Sequence, residues 1–187
     1  MLAGWPGVTA LAQDGAAEVT QFRVEREDDG LLLSALVRLE LTPVIEDALQ
    51  KGVPMFFVAE AEIFRSRWYW YDQKVTSASK SFRLAFQTLT RRWRLSAASV
   101  GHGEGNSSAA LNQHFESLPE AMATLRRITR WRVAESNEIP AGAGLYVNFR
   151  FRLDVSQLPR PFQIGAVGQA DWNIGASISQ PLSLGSP

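Results

Sequence analysis

Hydrophobic and polar residues alternate along much of the chain, which is typical of strands that bury one face. In the segment 145–155 every odd-numbered residue is apolar, whereas the even-numbered ones are tyrosine or polar. The segments 18–26 and 31–41 are joined by Asp28-Asp29-Gly30, and Asp-Gly between hydrophobic runs predicts a β-hairpin. A further hairpin is predicted for residues 82–97, with its turn near 88–91 and one basic face.

The segment 53–64 predicts another strand, with the odd-numbered residues from Met55 to Ile63 on its buried face. The same phase would carry the guanidinium groups of Arg65 and Arg67 into the core, at a cost of several kcal/mol each. The sequence therefore predicts a bulge or bend near residues 64–67.

The stretch 65–75, with the sequence RSRWYWYDQKV, contains four adjacent aromatic residues. A one-residue shift in phase would turn Trp68 and Trp70 into the core and leave Arg67, Tyr69 and Tyr71 on the other face. Burial of a large aromatic side chain contributes roughly 3 kcal/mol, which favours a core role for the two tryptophans.

Two short helices interrupt the strands. Thr42-Pro43 supplies an N-cap and a first-turn proline, and Gly52 lies just past the expected end. Ser117-Leu118-Pro119-Glu120 resembles a capping box and predicts a helix to about Arg130, followed by a short strand at 131–134. Residues 100–112 predict a Gly/Ser-rich loop, and the chain from Leu158 is expected to be extended and to pack through Phe162 and Trp172.

These elements predict a mainly β (α+β) fold: an antiparallel β-sandwich-like single domain with two short accessory helices. Residues 13–187 form this domain. A chain of 187 residues is long enough to bury a substantial core. No apolar run approaches the ~20 residues of a membrane-spanning helix, so we expect no transmembrane segment in the mature chain.

The N-terminus predicts export. Residues 1–12 are apolar, and Ala10-Leu11-Ala12 has the small-x-small form cut by signal peptidase, here before Gln13. A positive start and a longer apolar stretch are missing. We therefore interpret residues 1–12 as the C-terminal part of a signal peptide truncated by a misplaced start codon, and we expect a periplasmic protein. The alternative is a frayed cytosolic tail.

Net charge is zero, but the charge is unevenly distributed. The segment from Glu18 to Glu62 contains ten acidic and four basic residues. The segment from Arg65 to Arg94 contains eight basic residues and one acidic residue, Asp72. If these segments lie side by side, their charges pair internally; if they lie apart, a basic patch results. A neutral chain without a recognised motif argues against nucleic acid as a partner.

Few residues suit catalysis or metal binding. The chain has no cysteine, which excludes disulfides and a cysteine nucleophile. His102 in the loop GHGEG lacks the context of a phosphate loop, and His114 with Glu116 is too sparse for a metal site. Glu60 and Glu62 share a strand face and could divide acid and base roles, but pairing with Arg83 or Arg94 across the sheet explains them equally well. We therefore expect no catalytic residue, metal or cofactor.

The remaining candidate is a binding surface. Arginine and tyrosine are enriched at protein contacts, and aromatic faces also stack on sugars. The predicted surface consists of Arg65, Arg67, Tyr69, Tyr71, Arg83 and Arg94, provided that they share one exposed sheet face. The alternative is a solvated face with cross-strand pairs.

Four segments resemble a family known only as domain of unknown function DUF4390: residues 39–57, 65–95, 117–133 and 152–174. The most specific pieces are Arg67-Trp68-Tyr69-Trp70, the run LDVSQLPRPFQ, and Asp171-Trp172. The resemblance implies a proteobacterial exported protein encoded near a sensor kinase, with no established catalytic residues. Ser66 stands where proline is common, the loop at 100–112 resembles an insertion, and the C-terminal end lacks the expected aromatic and basic residues.

From these observations we expect a non-enzymatic periplasmic interaction module linked to envelope sensing, whose partner is a membrane sensor kinase or another envelope protein. A binding domain for a cell-wall glycan or lipid, with Tyr69 and Tyr71 as stacking groups, is the alternative. An enzyme of unknown class is the third reading.

Overall fold

Two antiparallel β-sheets pack across a hydrophobic core in the computed structural model, which describes residues 17–67, 69, 71–100, 111–142, 144–166 and 168–182. The strands are β1 (Ala17–Glu27), β2 (Gly30–Leu39), β3 (Met55–Arg65), β4 (Gln73–Gln87), β5 (Arg92–Val100), β6 (Leu111–Phe115), β7 (Arg127–Glu135), β8 (Leu145–Leu153) and β9 (Gly175–Pro181). The helices are α1 (Pro43–Gln50), α2 (Leu118–Leu125) and α3 (Arg160–Ala166). The predicted mainly β, sandwich-like fold is confirmed.

The sheets differ in size. The smaller has the strand order β1-β2-β7, and the larger has the order β6-β5-β4-β3-β8-β9. Alternation places the odd-numbered residues of β3 and β8 on the inner face, where Phe57 and Phe151 stack with ring centroids 5.8 Å apart. Phe22 of β1 reaches Phe149 of β8 at 5.5 Å, which joins the two sheets through the core. Among the described residues, no helix is long and apolar enough to cross a membrane.

The first hairpin depends on a glycine. Gly30 has φ +146°, and a Cβ atom there would lie 2.0 Å from the carbonyl oxygen of Ala134. Strand β7 approaches the start of β2 so closely that any side chain at this position would collide with its backbone. The Asp28-Asp29-Gly30 signal is therefore confirmed, with a second reason for the glycine.

The predicted bend lies on the other strand. Strand β3 pairs with β8 in unbroken register as far as Arg65. Its register with β4 shifts between Ile63 and Phe64, because Val75 is an extra residue on β4. The predicted irregularity near residues 64–67 is therefore present, but the extra residue belongs to β4. Strand β3 ends at Arg65, and the described residues from Ser66 to Asp72 lie outside any strand.

Several boundaries differ from the sequence prediction. Helix α2 ends at Leu125 instead of Arg130, because residues 127–135 pair with β2 as strand β7 and bury Ile128 and Trp131 there. Strand β4 begins at Gln73, nine residues before the predicted hairpin 82–97. Strand β6 begins at Leu111, inside the predicted loop 100–112, and residues 101–110 of that loop lie outside the described residues.

The region after Leu158 is also less extended than predicted. It contains a third helix, α3, and a strand, β9, that pairs with β8. The predicted packing through Phe162 and Trp172 is confirmed, since their ring centroids lie 6.4 Å apart and Trp172 is buried.

Candidate functional site

The connection between β3 and β4 carries the aromatic residues that the sequence singled out. We call residues 66–72 the tyrosine turn; the structure describes Ser66, Arg67, Tyr69, Tyr71 and Asp72 within it. Trp68 and Trp70 lie outside the described residues, so their predicted burial stays a prediction. The predicted exposure of the tyrosines is confirmed: Tyr69 is 65% and Tyr71 is 88% exposed.

Backbone and arginine contacts fix the start of the tyrosine turn. The N–H of Ser66 donates to the carbonyl oxygen of Gly144 at 2.8 Å. Arg65 Nη2 donates to the carbonyl oxygen of Ala141 at 2.9 Å. Arg65 is half-buried on the core side of β3, so it supports the turn from beneath instead of contributing an exposed cation as the sequence suggested.

Asp72 fixes the end of the turn. Its Oδ2 accepts a hydrogen bond from Tyr146 Oη at 2.7 Å, and its Oδ1 accepts one from the N–H of Arg67 at 3.2 Å. The carboxylate therefore links the two ends of the turn to each other and to β8. The guanidinium of Arg67 also donates to the side chain of Gln73.

Tyr146 is held in position by its ring as well as by its hydroxyl. It pairs with Phe64 across β3 and β8, and the two rings stack with centroids 5.4 Å apart and planes 15° apart. Burial of the phenol, followed by its hydrogen bond to Asp72 and the negative charge of that carboxylate, raises the pKa of Tyr146 to about 12. The phenol consequently remains a donor to Asp72 at neutral pH.

The six predicted surface residues do not form one patch. Arg83 and Arg94 lie on the outer face of the large sheet, near the opposite end of β4. Arg83 is ten residues from Gln73 along β4, a distance of about 30 Å. Arg83 packs over the ring of Phe56 at 5.9 Å, and Arg94 is half-buried opposite Ala85. The structure thus brings together Arg67, Tyr69 and Tyr71, and places the two arginines elsewhere.

The paired carboxylates have partners other than those predicted. Lys74 Nζ lies 2.9 Å from Glu62 Oε1, and Arg152 Nη2 lies 3.4 Å from Glu60 Oε1. The expected pairing with Arg83 or Arg94 was wrong, because those arginines occupy the far half of the sheet. Ion pairs with neighbouring strands account for both glutamates.

Neither histidine belongs to a metal site among the described residues. His102 lies outside the described residues, and His114 lies opposite Arg94 on the edge strand β6. Within the described ranges, no group of three or more histidine or acidic residues is arranged to hold a metal ion.

A separate groove of about 430 Å³ lies between the end of β8 and the segment after α3. Its wall includes Leu153, Ala166, Trp172 and Asn173. It is remote in sequence from the tyrosine turn, and no titratable residue is among the residues that line it.

The Asp72–Tyr146 contact is the part of this site that sequence reasoning missed. The two residues are 74 positions apart, and only the register of β3 with β8 brings them together. The alternation that assigned Tyr146 to the outer face was the single available signal.

Comparison with known proteins gave a match to a family model. The family model described as "Domain of unknown function (DUF4390)" matches residues 14–180. Neither the curated proteins nor the solved structures gave a match. Because the family model spans nearly the whole chain, this protein belongs to the DUF4390 family.

Proposed function

We propose that this protein is a periplasmic, non-enzymatic interaction module that binds an envelope protein through the tyrosine turn. The observation that carries the proposal is the combination of two exposed phenol rings with a turn that is fixed at both ends. Tyrosine is prominent among residues that dominate binding energy at protein interfaces.

The anchoring supports this role. A turn that is already fixed by Asp72, Tyr146 and Gly144 loses little conformational freedom when a partner binds. The rings of Tyr69 and Tyr71 would therefore contribute most of their contact energy to affinity. Arg67, exposed beside them, adds a cation that can pair with an acidic group on the partner.

Export completes the proposal. The small-x-small motif at residues 10–12 supports cleavage before Gln13, and a membrane sensor kinase is a candidate partner in that compartment. N-terminal sequencing of the native protein from a periplasmic fraction is expected to begin at Gln13. A native cytosolic protein beginning at Met1 would overturn the location.

Crosslinking in intact envelopes tests the binding surface. Tyr71→Ala is the cleanest variant, because Tyr71 is the more exposed ring. Ile164→Ala is a matched control, since Ile164 is 80% exposed on α3. We expect Tyr71→Ala to weaken capture of a specific envelope protein about 30-fold, as for a residue that dominates an interface, and Ile164→Ala to leave it unchanged.

The same variants separate the alternative. Two exposed aromatic rings can also stack on sugars, so purified protein is incubated with muropeptides and with phospholipid extract. Loss of glycan or lipid binding in Tyr71→Ala, with protein crosslinks intact, would favour the ligand-binding reading. Crosslinks and ligand binding that are both unchanged in Tyr69→Ala/Tyr71→Ala would overturn both.

A further inference from the structure

The tip of the β4–β5 hairpin carries an exposed leucine next to a group of arginines. The turn covers residues 88–91, and Leu89 within it is 100% exposed. Arg91 is the last residue of this turn and Arg92 is the first residue of β5, and both are exposed. We call the set Arg83, Leu89, Arg91, Arg92 and Arg94 the arginine tip.

Strand register brings the arginines close to one another. Arg94 pairs with Ala85 and Arg83 pairs with Ser96, so Arg83 and Arg94 are diagonal neighbours on the outer face, roughly 7–8 Å apart at Cα. Arg92 lies two residues before Arg94 on the same face, about 7 Å away. The positive potentials of these three arginines therefore overlap beside this face of the sheet.

Little negative charge opposes them. Among the described residues, the one carboxylate in ion-pair contact with these arginines is that of Glu116, 4.0 Å from Arg92, and both side chains are largely exposed. Such a pair is weak. Lys51 follows the end of α1. Its positive charge is balanced by Asp47, whose Oδ2 lies 2.6 Å from Lys51 Nζ.

Side-chain contacts flank the turn, and one of its residues has an unfavourable backbone conformation. Thr90 Oγ1 donates to Gln87 Oε1 at 3.2 Å across its base, and Phe86 packs against Trp93 with ring centroids 4.9 Å apart. Arg91 has φ +54°, in the left-handed region that favours glycine or asparagine. An arginine held in that conformation suggests that its side chain has a use other than forming the turn.

We infer that the arginine tip binds the surface of a bilayer containing anionic phospholipid, with Leu89 inserted among the headgroups and acyl chains. A protein partner would need to match both a projecting aliphatic side chain and several guanidinium groups on the adjoining sheet face. An anionic bilayer offers phosphates to the arginines at its surface and an apolar layer directly beneath for Leu89. This inference does not depend on the tyrosine turn.

Vesicle binding of the purified chain tests the inference. Vesicles of phosphatidylcholine with 30% phosphatidylglycerol are expected to pellet the protein, and pure phosphatidylcholine vesicles are not. Each arginine removed should weaken binding about fivefold, so Arg91→Gln/Arg92→Gln should weaken it about 25-fold. Arg127→Gln/Arg160→Gln has the same net charge and alters exposed arginines elsewhere, so it should bind like the wild type.

Insertion of Leu89 has its own readout. The chain contains no cysteine, so Leu89→Cys supplies a single thiol for an environment-sensitive nitrobenzoxadiazole probe. Its emission is expected to rise and shift to shorter wavelength with the anionic vesicles. The same probe on Ile164→Cys should not respond.

The outcomes separate the possibilities. Binding that is lost in Arg91→Gln/Arg92→Gln, restored in Arg91→Lys/Arg92→Lys and weakened by 0.5 M salt supports the inference. Absence of binding to anionic vesicles at low salt overturns it, as does binding unaffected by the glutamine changes. Competition by millimolar inorganic phosphate would indicate a site for a free anion, and a silent probe at position 89 would rule out insertion. Unchanged thermal unfolding of each variant confirms that the fold is intact.

Discussion

Tyr146→Phe removes a single oxygen atom and with it the link between β8 and the tyrosine turn. The ring and its stack on Phe64 remain, so the variant isolates the hydrogen bond to Asp72 at 2.7 Å. A hydrogen bond to a charged group contributes roughly 1.5–3 kcal/mol when it is buried. Because Asp72 is exposed and water competes for its oxygens, we expect a loss of about 1 kcal/mol in the free energy of unfolding.

Thermal unfolding and hydrogen exchange measure this loss. At pH 7 the unfolding midpoint temperature should fall by about 2–4 °C, as expected for 1 kcal/mol in a chain of this size. Exchange of the Arg67 amide, which donates to Asp72, should accelerate about fivefold if the turn opens more often. Tyr71→Phe is the control, because it removes a phenol hydroxyl from an exposed ring in the same turn.

The pH dependence supplies an independent check. In the folded protein the pKa of Tyr146 is raised to about 12, so folding favours the protonated phenol. The associated stability is therefore complete below about pH 10 and is lost as the pH rises towards 12. Partial exposure of Tyr146 reduces this contribution to about 1 kcal/mol, well below the value implied by the full shift.

The difference between wild type and Tyr146→Phe should consequently shrink between pH 10 and 12. A difference within about 0.5 kcal/mol at pH 7 that stays constant up to pH 12, with exchange in residues 66–72 unchanged, would refute the role of Asp72 in fixing the turn.

Three further outcomes are expected. Gly30→Ala should destabilise the protein by about 3 kcal/mol or more in urea denaturation, because its Cβ would collide with the Ala134 carbonyl; a wild-type midpoint would refute that contact. Asp154→Asn should cost about 1–2 kcal/mol at pH 7, and this cost should shrink as the pH falls below about 4. Although burial opposes ionisation, hydrogen bonds from Gln157 and Ser156 and the charge of Arg152 lower the pKa of Asp154, so its stabilisation is present above about pH 4 and disappears as the carboxylate protonates. Arg91→Gly should raise stability by about 0.5–1 kcal/mol by relieving a positive φ, while weakening binding to anionic vesicles.

Sequence patterns predicted the strands that bury one face and are polar on the other. Strand β8 alternates throughout, and the turns at Asp28-Asp29-Gly30 and at 88–91 carried recognisable signals. In such segments the local pattern and the tertiary environment favour the same structure, which is why periodicity was sufficient.

The errors occurred where tertiary pairing decided the structure. Ile128 fits the buried face of a helix or of a strand, and pairing with β2 selects the strand. Strand β6 has no apolar alternation and owes its conformation to β5. The alternation of Ala176 and Ile178 in β9 was a usable signal. Helix α3, in contrast, is only seven residues long, has Pro161 in its first turn and contains Gly165, so its sequence gives a weak helical signal.

Only the local part of the candidate site could be predicted from the sequence. Adjacent residues such as Tyr69 and Tyr71 could be placed together, because local alternation relates them. The separation of Arg83 from them depends on the length of β4, and the Asp72–Tyr146 bond depends on a partner 74 residues away. No pattern within a short window contains either relation.

Strand β4 is 15 residues long and runs from the tyrosine turn to the arginine tip, so its length sets the distance between these two surfaces. At ~3.3 Å per residue it is a strut of about 45 Å. A molecule resting upright on lipid by its tip would hold Tyr71 at that stand-off height, beyond the headgroup layer. Receptors whose exposed portion is shorter than this would be out of reach, so in that orientation the length of β4 would select partners by their height above the bilayer.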